Sequence, residues 1–144
     1  MKTLSDLERA RRELSSRDTV KCVLRCGELS YESEKRGVAP MLDFLEQGID
    51  LHGFSAADRV VGRATAFLFV LAGITSVFGE VVSEGAYELL AKHGIPCEAQ
   101  KVVPYIINRK GDGQCPMERA VLGIEDPEEA YRAVLQTKQA LSNQ

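Results

Sequence analysis

Apolar positions recur along this chain with two different periods, and the changes of period mark its elements. Leu4, Leu7 and Leu14 fall on one side of a helix over residues 4–15, opened by the capping-box pattern Thr3-x-x-Asp6. The period then becomes two. Val20, Cys22, Leu24 and Cys26 alternate with Lys21, Val23 and Arg25, and Leu29, Tyr31 and Ser33 alternate on the return. Gly27-Glu28 between them suits a two-residue type II′ turn, so the segment predicts a β-hairpin. A loop from Lys35 to Pro40 leads to a short helix, Met41 to Gln47, stopped by Gly48.

Ser55-x-x-Asp58 reads as a second capping box, and Val60, Val61, Ala64, Phe67, Leu68 and Leu71 form a broad apolar stripe behind it. One helix from Ser55 to Gly73 is therefore expected, with Gly62 and Ala66 small enough to let it lie close to a sheet. Ile74 to Val82 is a nearly unbroken apolar run, hence a strand covered on both faces. Ser83 caps a helix from Glu84 to Lys92 that ends at His93-Gly94. A strand over Lys101 to Asn108 follows, with Pro104 implying a sheet edge or a strand start. Beyond the turn Lys110 to Gly113 come a short helix, Pro116 to Leu122, and a last helix to about Leu141, capped by Asp126 with Pro127 at its first position. Strand–helix–strand alternation predicts an α/β fold: a three-layer mixed β-sheet with helices on both faces. The expected organisation is a single domain over 1–144, with an N-terminal helix inside 1–17 and a C-terminal helix over 126–141.

Composition narrows the function classes. With 144 residues, 44% hydrophobic and 27% charged, the chain reads as one globular domain and not a disordered one. Its 18 Lys+Arg against 21 Asp+Glu give a net charge of -3, without the basic excess of a general nucleic-acid binder. The longest apolar run, Ala64 to Val82, is broken by Gly73, Thr75, Ser76, Gly79 and Glu80, and a spanning helix needs about 18–20 consecutive apolar residues. No membrane partner is expected. The charged start MKTLSDLERARREL is unlike a signal peptide, so a cytoplasmic, thiol-reducing compartment is expected.

The 4 Cys and 2 His are just enough for one metal site. Their spacing argues against it. In a strand, Cys22 and Cys26 stand roughly 13 Å apart, whereas two zinc ligands must approach within about 4 Å. Buried free cysteines behave as small hydrophobes instead. His93 and Cys97 flank a turn, and His52-Gly53 has no ligand near it in sequence. No metal and no cofactor are expected.

Residues 108–118 concentrate the chemistry. Asn108, Arg109, Lys110, Gly111, Asp112, Gly113 and Gln114 lead to Cys115-Pro116, which puts Cys115 at a helix N-cap and Glu118 at the third helical position. A thiol at a helix start beside two cations tends toward thiolate. Gly111 and Gly113 would let backbone amides approach an anion closely. A solvated turn is the plainer reading of the same residues. Arg59 and Arg63, four apart on the expected helix, would share a face and hold an anion together. Ser83-Glu84-Gly85 stands where a strand meets its helix, the edge that ligands favour in α/β sheets.

The run Val103 to Glu118, VPYIINRKGDGQCPME, together with Ala57 to Ala64, ADRVVGRA, resembles a family of small prokaryotic proteins that share a domain of unknown function. The similarity includes Lys35-Arg36-Gly37-Val38 and Val82-Ser83-Glu84 and spans roughly residues 18–135. It implies a cytidine-deaminase-like fold and brings no established reaction. Deaminases of that fold carry His/Cys-x-Glu and Pro-Cys-x-x-Cys at two successive helix starts. The helix starts expected here, Ser55-Ala-Ala-Asp58 and Ser83-Glu-Gly-Ala86, offer no such ligands, and Cys115-Pro116 inverts the order.

The expected function is accordingly a cytosolic protein with a zinc-free, deaminase-like pocket for a small anionic, nucleotide-like molecule. Arg59, Arg63, Ser83, Asn108, Arg109, Lys110, Gly111 and Gly113 would bind it. Were the pocket catalytic, Cys115 would be the nucleophile, with Glu84 or Asp58 handling the proton. The alternative is a non-catalytic interaction or regulatory module, with Pro104's edge strand, Phe54 and Met41 serving a homodimer or partner interface.

Overall fold

A computed structural model describes residues 4–107, 111 and 113–142. The first helix, α1 (Asp6–Ser16), takes Ser5 as its N-cap, two residues later than the Thr3 of the expected box. The hairpin follows as expected: β1 (Cys22–Cys26) pairs antiparallel with β2 (Leu29–Ser33), register Cys22 to Ser33. Gly27 takes φ 57° at the turn while Glu28 stays at negative φ, which is the type II′ signature. Next come α2 (Ala39–Glu46), β3 (Ser55–Val61), α3 (Arg63–Ala72), β4 (Ser76–Ser83), α4 (Glu84–Lys92) and β5 (Cys97–Val103). Two helices close the chain, α5 (Pro116–Ala120) and α6 (Pro127–Ser142).

The five strands form one mixed sheet in the order β2-β1-β3-β4-β5, antiparallel through β3 and parallel from β3 to β5. Helix α1 covers one face through Ala10, Leu14, Val23, Ala57 and Phe78. On the other face α2, α3, α4 and α6 bury Met41, Phe67, Leu90 and Val134 in the larger core. The mixed α/β sheet with helices on both faces is thus present.

One element differs from expectation. Ser55–Val61 is a strand, and the helix starts only at Arg63. Its first four residues are all buried because it lies in the middle of the sheet, under helices on both faces. A strand covered on both sides loses its polar/apolar alternation, and Ser55 and Asp58 then imitate a capping box. The fifth strand also shifts, running from Cys97 and ending just before Pro104. It is an edge strand, as a nearby proline suggests.

In β3 and β4 the side chains change face midway. Ala56 and Val61 join the same core cluster although five residues apart, as do Val77 and Val82. Arg59 and Glu80 sit at that level, joined at 2.8 Å. Val60 and Val81, paired just beyond, are left half-covered or exposed at the carboxyl end of the parallel strands.

Candidate functional site

The most buried acid among the described residues is Asp58, 3% exposed, placed on β3 opposite Cys22 of β1. Asp58 belongs to a strand and not to a helix start. Among the described residues its oxygen Oδ2 has no hydrogen-bond partner. Burial raises its pKa well above the usual carboxylate value, against the opposing pull of the Val60 and Arg59 amides, the Arg59 charge and the Cys22 thiol. The Cys22 thiol is raised as well, by burial first and then by the charge of Asp58. Burial thus shifts both members of the pair toward their protonated forms.

Asp58 lines a recess of about 260 Å³ together with Lys21, Arg36, Gly37, Arg59 and Val60. Lys21 comes from the start of the hairpin and Arg36 from the loop before α2. Among the described residues neither cation forms an ion pair. A second hollow of about 410 Å³ lies against Val60 from the side of the β5 edge, walled by Val81, Val103, Pro104, Tyr105 and Ile107.

The other expected site residues distribute differently. The helix that was to place Arg59 and Arg63 on one face does not exist across them, and each has its own structural partners. Arg59 donates to the carbonyls of Val20 (3.1 Å), Leu14 (2.7 Å) and Arg17 (2.8 Å) as well as to Glu80. Arg63 opens α3, lies 4.9 Å from the Phe67 ring centroid, and donates to the Ile124 carbonyl at 2.8 Å. Ser83 is buried and caps α4, its hydroxyl accepting from the Ala86 amide at 3.1 Å, while Glu84 is exposed. Arg63 and the start of α4 are neighbours, since a Cβ on Gly85 would lie 3.6 Å from Arg63 Cδ. Gly111 and Gly113 are exposed, Gly111 with φ 75°. Asn108, Arg109 and Lys110 lie outside the described residues.

Cys115 is the N-cap residue of α5, as its place before Pro116 implies, with its amide donating to the Ile106 carbonyl at 3.1 Å. The helix behind it has only five residues, too short for an appreciable dipole. Glu118 holds the third position, yet its carboxylate leaves its own helix. It accepts from the amides of Arg63 (2.7 Å) and Ala64 (2.8 Å), closing the N-terminus of α3 that Gly62 leaves without a side-chain cap. Sequence reasoning missed this role and also Lys21, Arg36, Val60 and Tyr105. The motif Lys35-Arg36-Gly37 was the available signal for the first of these surfaces.

Among the described residues the starts of α3 and α4 carry none of the zinc ligands of the deaminase pattern. Gly62-Arg63 and Ser83-Glu84 bring no His or Cys, and Cys22 and Cys26 occupy the two ends of β1. Among the described residues no three His, Cys, Asp or Glu come together as a metal would require. Met41 and Phe54, expected at an interface, are core residues at 0% and 3% exposure. Among the described residues no helix is long and apolar enough to cross a membrane.

A mixed five-stranded sheet with a recess at the carboxyl end of its central strand defines an α/β protein of a recognisable kind. The family model for the domain of unknown function DUF1893 matches residues 9–137, and the chain belongs to that family. Its fold is similar to the crystal structure of a DUF1893 family protein (TM1506) from Thermotoga maritima, at TM-score 0.82 and 24% identity, covering 94% of this chain and 92% of that one. No functionally curated protein matches the chain.

Proposed function

We propose that this chain is a zinc-free, deaminase-like binding protein whose recess at Asp58 holds a small anionic molecule of nucleotide-like size. The observation that carries the reading is a buried acid with an unpartnered oxygen in a recess whose rim bears Lys21 and Arg36. A polar group buried without a partner is costly in a finished interior, and a ligand donor would relieve it. The two rim cations supply charge for the anion. The order helix, hairpin, then alternating helices and strands supports the cytidine-deaminase-like subtype, and the helix starts without ligands support its zinc-free form. Four free cysteines fit a thiol-reducing cytoplasm.

Binding is favoured over turnover. Among the described residues no direct hydrogen bond or ion pair joins Asp58 to Glu84 or to Cys115. Thermal denaturation in the presence of pyrophosphate, nucleoside phosphates and sugar phosphates tests the reading. A ligand present at a hundred times its Kd should stabilise by about 2.7 kcal/mol. Arg36→Ala and Lys21→Ala should each remove the effect, and a panel without any stabilising anion would refute the proposal. A second reading, an interaction module, draws on Leu29 and Val102, exposed apolar residues on the two edge strands, and predicts a dimer by sedimentation equilibrium.

A further inference from the structure

The Asp58 recess and the apolar groove beside it share a wall. Val60 lines both, with Lys21 and Arg36 on one side of it and Val81, Val103, Tyr105 and Ile107 on the other. Tyr105 and Ile107 are each 55% exposed and Val60 is 37% exposed, so this apolar surface has no cover among the described residues. A groove of about 410 Å³ falls within the size range of small-molecule sites, roughly 300–1,000 Å³. Cationic groups at one end and a continuous apolar wall at the other define a ligand with the same two halves.

Resting on the anion reading above, we propose that the two hollows are one binding site for an amphipathic anion, with its carboxylate or phosphate head at Lys21, Arg36 and Asp58 and its hydrocarbon or aromatic body along Val60, Val103, Tyr105 and Ile107. The cations attract the head group. Burial shifts Asp58 toward its protonated form, which weakens its repulsion of the head, and its unpartnered Oδ2 is left for a ligand contact. The body is held by removal of apolar surface from water on both partners, the same force that would otherwise favour self-association of this patch. Inorganic phosphate alone would use half of the site.

Dansyl-undecanoate, a fluorescent fatty-acid analogue, titrated into the full chain is the direct test, with pyrophosphate and decanol as competitors. Saturable binding at one molecule per chain is expected. Arg36→Ala should weaken the probe by about tenfold, the loss of one charge-assisted contact. Tyr105→Ser combined with Ile107→Ser should weaken it comparably while leaving pyrophosphate binding intact. Both positions are exposed, so these variants keep the fold, as circular dichroism melts would register. Should Arg36→Ala abolish pyrophosphate binding while the Tyr105/Ile107 variant leaves dansyl-undecanoate unaffected, the amphiphile proposal falls and the anion reading stands. Absence of binding by either anion removes both. A wild-type dimer that the Tyr105/Ile107 variant dissociates, with no probe bound, makes the groove a self-association surface and overturns the proposal.

Discussion

Gly62 and Glu118 form the most specific residue-level device in the chain. A Cβ at position 62 would stand 2.6 Å from the Glu118 carboxylate, so any larger residue there must push that carboxylate aside; the constraint is space and not conformation, the φ being an ordinary -94°. Gly62→Ala should displace the carboxylate from the two α3 amides and cost roughly 2–3 kcal/mol, measured by urea denaturation. In a Glu118→Ala background the same substitution should cost far less, and a double-mutant cycle without coupling would show that the carboxylate is not what fills the space. Asp58 makes a pH-dependent prediction. Its folded pKa is raised, so the protonated form is favoured in the folded state while the unfolded chain ionises from about pH 3.9 upward. The stability from this group is complete below that value and is lost as pH rises through the folded pKa. Asp58→Asn should therefore gain on the wild type across that window, by at most about 1.4 kcal/mol per pH unit; a constant difference would mean that Asp58 titrates normally. Thiol labelling follows the same environments. Cys22, fully buried and raised, should alkylate more slowly than half-buried Cys26, by mass spectrometry of the native protein at neutral pH.

At the scale of elements, Arg59 connects what its neighbours in sequence do not. Leu14 is in the last turn of α1 and Arg17 is its C-cap, so the guanidinium satisfies carbonyls that the helix end leaves open. Arg59→Lys keeps the charge but cannot reach three carbonyls and Glu80 from one fork, and a loss of about 2 kcal/mol or more is expected in thermal unfolding. The hairpin, α4, β4 and the start of α5 were legible because each announces itself locally, through alternation, Gly27, Ser83 or Cys115-Pro116. The strand Ser55–Val61 was not. Its small residues, Ser55, Ala56 and Ala57, carry no period, and its identity as a strand depends on helices brought over both faces by the rest of the chain. Pro104 pointed correctly to an edge, though the strand turned out to precede it.

For the whole molecule, the α/β sheet and its layering could be read from the order of elements, because parallel strands need crossover helices and β4 was plain. The site could be read only in part. Asp58 was singled out, but on a false helix, and the partners assigned to it were those of a helix start. Lys21, Arg36 and Val60 meet Asp58 through the pairing of β1 with β3 and the loop before α2, which local sequence does not specify. Arg59 and Arg63 show the converse: charged residues near a site in sequence whose partners are structural. The Glu118 carboxylate also bears on how the chain reaches its fold. It meets the first amides of α3 at sequence separations of 55 and 54, whereas the helix's own hydrogen bonds are local. Closing so long a loop costs entropy before the contact rewards it, so this contact is expected to form after the local ones. Glu118→Gln should therefore speed unfolding and leave the folding rate nearly unchanged, moving one arm of the chevron alone. Slower folding in that variant would place the closing of α3 inside the nucleus. With the folding rate unchanged, the carboxylate acts as a latch on an already assembled sheet, setting how long the native state lasts and not how quickly it is found.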